Sequence, residues 1–205
     1  MKILIAIMAC WDNLERVNAS RRTWIPQLNG THYKVFLGRS PHFALQCAEA
    51  DDEIFLDVDD SYTGVVEKLR AIYRWALAEG YDYVFSADDD TYIVPSRLEV
   101  PVGWNYVGRQ RGLDGQYVDD YASGGAGVWL SRTSLEVLVN SGPSKTTFSD
   151  KWIGDTLRAS GIICHLDRRY ILLRDLQKYR KTFASCETFT RGGLSTTMEK
   201  IHHEV

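Results

Sequence analysis

The chain contains no apolar run long enough to cross a bilayer, which takes about 20 residues. Its N-terminal stretch, apolar from Ile3 to Cys10, is too short for that and lacks the small-residue cleavage site of an export signal. Cysteines are few: Cys10, Cys47, Cys164 and Cys186, with no C-x-x-C and no zinc spacing. Structural zinc and dithiol redox chemistry are therefore not expected, and reduced thiols are, with Cys10 and Cys164 as small core residues. There is no excess of positive charge. The formal net charge of -3 gives no general attraction to nucleic acid or anionic lipid. No glycine-rich phosphate loop follows the first apolar run, where Cys10-Trp11-Asp12 stands instead. That counts against a nucleotidyltransferase. Repeats, low-complexity tracts and linkers are also missing. These absences predict one domain over 1–205, with no membrane span, working in a cytoplasm.

What is present is an alternation of strand and helix patterns. Ile3 to Ala9 is a β-branched, apolar run suited to a parallel strand covered on both faces. Asp12, with Glu15 three residues on, reads as a capping box for a helix to about Trp24, before Pro26. Strands are expected at Tyr33 to Leu37 and Glu53 to Asp57, with a short helix at Phe43 to Ala50 between them. From Thr63 to Glu79, Val65, Val66, Leu69, Ile72, Tyr73, Ala76 and Leu77 form one apolar stripe at helical period, closed by Gly80. Tyr81 to Ala87 is then a strand. Further strands are expected at Trp104 to Arg109, Gly127 to Leu130 and Ile162 to Leu166, and helices at Thr133 to Asn140 and from Ser149 to Ser160, the last capped by Ser149 or Asp150. The pattern predicts an α/β fold, a Rossmann-like, mixed, mostly parallel sheet flanked by helices. Ligands bind such sheets beyond the carboxyl ends of the strands.

At one such end stand Asp88, Asp89 and Asp90. Adjacent carboxylates repel, and a divalent cation relieves the repulsion; carboxylate oxygen suits magnesium or manganese. In a strand-like backbone Asp88 and Asp90 point one way and Asp89 the other. Two can hold a metal while the third serves another contact. The alternative is an exposed acidic turn.

Short motifs in a fixed order add to this. They are Arg22-Thr23-Trp24; Asp60-Ser61-Tyr62 with Lys68 and Trp75 behind it; Asp82-Tyr83-Val84-Phe85 leading to Asp88-Asp89-Asp90-Thr91-Tyr92; Tyr121 to Ser131, with Gly124, Gly125 and Gly127; and Asp150-Lys151-Trp152-Ile153-Gly154. In this order the chain resembles the β-1,3-glycosyltransferases that include the Fringe and β-1,3-galactosyltransferase enzymes. The resemblance covers about residues 20 to 160. It implies an A-type glycosyltransferase fold, with 1–100 as the nucleotide-sugar half and 101–205 as the acceptor half and tail. It implies a UDP-sugar donor, Mn2+ (or Mg2+), a glycan or glycoconjugate acceptor, and inversion at the anomeric carbon. Asp88 and Asp90 would hold the metal. Asp88 and Asp89, with Arg22, Lys68, Gly124 and Gly125, would contact the donor. Asp150 would be the general base, its plain alternative being a helix N-cap.

The chain also departs from that pattern. Ser86 and Ala87 stand where a basic residue precedes the aspartates, Gly64 and Val65 replace Asn-Leu, and Ser149 replaces a glutamate. The late histidine expected as third metal ligand is not at Phe189-Thr190-Arg191, which leaves His202 or His203; His165 reads as a strand-end residue. Arg168, Arg169, Arg174, Lys178, Arg180 and Lys181 form either a solvated basic face or an anchor for an anion. Trp104, Tyr106, Tyr117, Tyr121, Trp129 and Trp152 are candidates for stacking on sugar rings, most of them being expected in the core. A catalytically silent carbohydrate-binding or chaperone-like relative is the reading from another class.

Overall fold

The computed structural model describes residues 1–39, 50–109, 121–167, 169–172, 184–186, 198–199 and 201–203. Its strands are β1 (Ile3–Met8), β2 (His32–Arg39), β3 (Glu53–Asp59), β4 (Tyr83–Asp88), β5 (Tyr92–Ile93), β6 (Tyr106–Gly108), β7 (Val128–Ser131), β8 (His165–Leu166), β9 (Tyr170–Leu172) and β10 (Ala184–Cys186). The helices are α1 (Leu14–Arg22), α2 (Val65–Ala78), α3 (Arg132–Val139) and α4 (Ser149–Ala159). Seven strands form one sheet in the order β3-β2-β1-β4-β7-β6-β8. All pairs are parallel except the two that β7 makes with β4 and β6.

That reversal places the site. Because β7 runs against β4, the start of β7 lies beside the end of β4, with Ser86 paired to Val128. The 3-10 turn at Gly124–Ala126 therefore sits next to Asp88. The end of β6 comes to the same edge, with Gly108 paired to Val128.

Both faces of the sheet are covered, so its strands read as unbroken apolar runs. On one face Ile5, Ile7, Val35, Leu37, Phe85 and Trp129 pack with Val17 and Ala19 of α1. On the other Leu4, Ala6, Phe36, Val84 and Leu130 pack with Leu69, Ile72 and Tyr73 of α2, Leu135 of α3 and Leu157 of α4. The α2 stripe is buried as its period requires, and Gly80 ends the helix with φ +78. Residues 198–199 and 201–203 are helical; Met198 and Ile201 are buried in the α1 layer, where the Ser20 hydroxyl donates to the Met198 sulfur at 3.4 Å. No helix among the described residues is long and apolar enough to cross a membrane.

Some local expectations change. Asp12 is not a helix cap: it lies in a 3-10 turn at Trp11–Asn13, and α1 begins at Leu14 without a side-chain capping bond. The N-cap of α4 is Phe148, not Ser149 or Asp150. A small sheet, β5-β10-β9, was not anticipated, because strands of two or three residues carry no readable period. The helix expected over 43–50 lies almost wholly outside the described residues.

Gly127 enters β7 with φ +80, and a Cβ there would lie 2.1 Å from Phe85 Cζ. Gly127→Ala combines an unfavourable left-handed backbone with overpacking against the core. It is expected to lower stability by about 2–4 kcal/mol, read as an earlier midpoint in urea with an unchanged slope.

Candidate carboxylate site

The site begins with the loop that leaves β1. Asp60, just past β3, accepts from Trp11 N at 3.0 Å and from Gly38 N at 2.9 Å. Trp11 Nε1 donates to Gly38 O at 2.6 Å. Lys68, on α2, donates to both Asp60 and Ala9 O. The Lys68 and Asp60 side chains are 4% and 5% exposed, so this is a buried ion pair whose partners are all internal. It fixes the loop from which α1 starts.

Two side chains from that start reach the aspartates. Arg16 Nη1 donates to Asp89 Oδ1 at 3.0 Å, and the Asn13 side chain is near enough to favour the charged form of Asp89. Asp89 is buried, and burial pushes its carboxyl up while Arg16, Asn13 and Lys68 pull it down; the balance stays above its ordinary value. Asp88 closes β4. Burial, then the charges of Asp90, Asp150 and Asp89, push its carboxyl well above the ordinary carboxylate range, against a smaller pull from Arg16. Beyond Asp88 the chain turns: Thr91 N donates to Asp88 O at 3.1 Å, and the Thr91 hydroxyl accepts from Asp88 N at 3.0 Å. The strand-like backbone assumed for the three aspartates thus ends at Asp88. Asp89 nonetheless meets Arg16 of α1, while Asp88 feels the charges of Asp90 and Asp150.

The second half of the site comes through the antiparallel strand. The Thr91 hydroxyl donates to Gly125 O at 2.9 Å, tying the aspartate turn to the glycine turn. Tyr106 Oη accepts from Ala122 N at 2.8 Å and anchors the approach to that turn. Asp150 lies in the first turn of α4, and a Cβ on Gly124 would stand 2.5 Å from its Oδ1. Glycine is required here because the carboxylate fills the space a side chain would take. Behind the site, buried Tyr73 donates its hydroxyl to Ser86 Oγ at 3.1 Å and stacks on Trp152 with ring centroids 6.4 Å apart.

The structure brings Asp88, Asp89, Asp90, Asp150, Gly124 and Gly125 together. Arg22 is held elsewhere, by Glu15 at 2.9 Å and Glu199 at 3.2 Å on the outer surface of α1. Lys68 stands behind the first loop in the pair just described. His202 shares a 3.0 Å hydrogen bond with Tyr92 Oη through Nδ1, and His203 is exposed. Among the described residues no three His, Cys, Asp or Glu side chains converge to hold a metal ion. Two carboxylates suffice for magnesium-type sites that take their remaining oxygens from phosphates and water, so Asp88 and Asp90 fit such an ion. His165 lies on β8 and stacks on Trp104 at 3.8 Å. Tyr106, Trp129 and Trp152 are core residues. The Cys10 thiol is pushed up by burial and by Asp89 and Asp60, and so stays protonated. Arg169 pairs with Asp167 and Glu99; the rest of the basic stretch, Tyr117 and Phe189-Thr190-Arg191 lie outside the described residues.

Arg16 and Asn13 escaped the sequence reading. Their only signal is position, one helical turn past the end of a strand that neighbours β4.

No family model matches the chain. It is 31% identical over 113 residues to probable beta-1,3-galactosyltransferase 12 of Arabidopsis thaliana, a match covering 46% of this chain and 30% of that protein. A crystal structure of a glycosyltransferase involved in the glycosylation of the major capsid of PBCV-1 superimposes with a TM-score of 0.59 at 13% identity, covering 100% of each chain. The second likeness shows the fold: the mixed sheet with flanking helices is that of a glycosyltransferase of the A type.

Two outcomes are expected. Asp88 has a raised folded-state pKa, so its ionisation opposes folding: stability from the protonated form is complete below about pH 4 and lost as pH rises through the folded value. Asp88→Asn should therefore raise Tm of the metal-free protein at pH 7, and the gain should vanish as pH falls below about 4. Lys68→Met leaves Asp60 charged and buried. Thermal melts should show a loss of about 3–5 kcal/mol, partly recovered in the Lys68→Met, Asp60→Asn pair.

Proposed function

We propose that the protein is an inverting, metal-dependent glycosyltransferase that moves a sugar from a UDP-sugar to a hydroxyl of a glycan or glycoconjugate. The observation that carries the reading is the meeting of two chain segments at one edge of the sheet. Asp88 closes β4 with Asp90 in the turn just beyond it, and Asp150 lies in the first turn of α4 against Gly124, with its charge felt at Asp88. The likeness to a galactosyltransferase over 113 residues and the shared fold support the same reaction class.

In this reading Asp88 and Asp90 would hold Mn2+ or Mg2+, whose positive charge would stabilise a leaving diphosphate. Arg16 keeps Asp89 in place beside them and offsets part of the local negative charge. Asp89 is left to meet the donor's ribose or sugar. The backbone at Gly124 and Gly125 has no side chain to keep a sugar ring away. Asp150 accepts the proton of the acceptor hydroxyl as that oxygen attacks the anomeric carbon. A single base suffices for inversion, because attack and departure take place on opposite faces of the ring. Lys68 and Arg22 act in this scheme as structural cations and not as donor ligands, since carboxylates already hold them.

Calorimetric titration with UDP, with and without manganese, tests the donor half. Binding should require the metal and be lost in Asp90→Ala. Asp150→Asn should keep UDP affinity yet release UDP from a UDP-sugar and acceptor about 10²–10⁴-fold more slowly. Metal-independent UDP binding, or full turnover by Asp150→Asn, would defeat the reading.

A further inference from the structure

Behind the carboxylates, one face of α2 touches both segments that carry them. Arg70 and Tyr73 are three residues apart on α2 and so share a face of the helix. Both reach Trp152 of α4. The Arg70 guanidinium carbon lies 5.1 Å from the centre of the Trp152 ring, and the Tyr73 ring runs within 8° of parallel to it. The buried Nε1 of Trp152 has no hydrogen-bond partner among the described residues, so this ring is placed by packing and not by a bond of its own. Arg70 also fixes the chain that leads to α4. Its guanidinium donates to Leu138 O at 3.2 Å, Ser141 O at 2.6 Å, Ser141 Oγ at 2.9 Å and Gly142 O at 3.0 Å. Trp152 follows Asp150 by two residues at the start of α4. In the other direction, the Tyr73 hydroxyl donates to Ser86, two residues before Asp88 and so on the same face of β4. Burial holds this hydroxyl above its ordinary value against the bond to Ser86, and the charges of Asp88 and Asp150 both add to the rise. It therefore stays protonated and remains a donor.

We propose that Tyr73 is the positioning residue that sets Asp150 relative to Asp88, with its hydroxyl on Ser86 of β4 and its ring on Trp152 of α4. The proposal rests on the transferase reading and adds a residue that the motifs did not single out. Packing alone asks only for the ring, which phenylalanine would supply. The hydroxyl of a fully buried side chain loses its water, and the bond to Ser86 roughly offsets that loss, so its net worth to the fold is small. What the bond supplies is registry. Through one rigid ring, α4 is referred directly to the strand that carries Asp88, and not only through the connection over 140–148. A general base must stand within hydrogen-bond reach of the group it serves, and a misplacement of about 1 Å costs about 10²-fold in rate.

UDP release from UDP-galactose, UDP-glucose and UDP-N-acetylglucosamine, with manganese present and water as acceptor, tests this beside thermal melts and calorimetry with UDP. Tyr73→Phe leaves Ser86 without its donor and should lower Tm by about 2–6 °C. It should slow kcat about 10- to 10²-fold, with KM for the donor and UDP affinity within about twofold of wild type. The pair Tyr73→Phe, Ser86→Ala removes both polar groups and should return Tm to within about 2 °C of wild type, while kcat stays low. A hydroxyl that serves stability alone would let kcat recover with Tm, and that result overturns the proposal. Trp152→Phe keeps a ring for Tyr73 to lie against and should hold kcat within about threefold, whereas Trp152→Leu should lose about tenfold. This comparison decides the matter if the Tyr73 pair does not regain its Tm. Equal loss in the two Trp152 variants, or full release by Tyr73→Phe, also overturns the proposal. Wild type that binds no UDP with manganese defeats the transferase reading and this assignment with it. Wild type that binds UDP but releases none from any of the three donors defeats the positioning role alone.

Discussion

Carboxylate repulsion is the constraint around which this molecule is arranged. Asp88, Asp89, Asp90 and Asp150 are drawn to one edge of an apolar sheet, where low polarity strengthens every charge. Arg16 holds Asp89, while the Asp88 carboxyl resists ionisation. The chain therefore pairs the most buried carboxylate of the three, and Asp88, which feels Asp90 and Asp150, is the one pushed furthest above its ordinary range. That asymmetry separates a structural charge from a working one.

Everything that supplies the compensation is itself held from behind. The buried Lys68–Asp60 pair ties three strand ends together through Ala9, Trp11 and Gly38. Without it the loop before α1 has no fixed height above the sheet, and Arg16 has no fixed reach to Asp89. On the other side, the single antiparallel strand delivers the glycine turn and, through α3 and the loop after it, Asp150. The two halves are joined directly by the Thr91 hydroxyl, which accepts from one turn and donates to the other.

Much of this was legible in the residues. The run from Ile3 and the α2 stripe announced themselves by period, and the three aspartates by their place after an apolar strand. The glycines near Tyr121 and the acidic residue at 150 were legible as motifs. That Gly124 and Asp150 are neighbours was not, because nothing local links residues 26 apart in sequence. Lys68 shows the limit most clearly. The motif resemblance implied a donor contact, but a motif does not reveal exposure, and the ammonium group is shut in behind a loop. Arg22 shows the converse: it is accessible, but Glu15 of α1 and Glu199 of the late helical segment already hold it. Phe148 at a helix cap runs against propensity, so no propensity argument could have placed it.

The packing of Met198 and Ile201 against α1 has a consequence in time. Ser20 and Met198 are 178 positions apart. As the chain is made, α1 and the first strands emerge early, yet one flank of α1 stays uncovered until residues 198–203 have followed. Closing a loop of that length is slow compared with forming the β1–β2 and β1–β4 pairs. Until then the nascent protein carries an apolar flank beside the first strands of the sheet, the kind of surface that attracts chaperones or neighbouring chains.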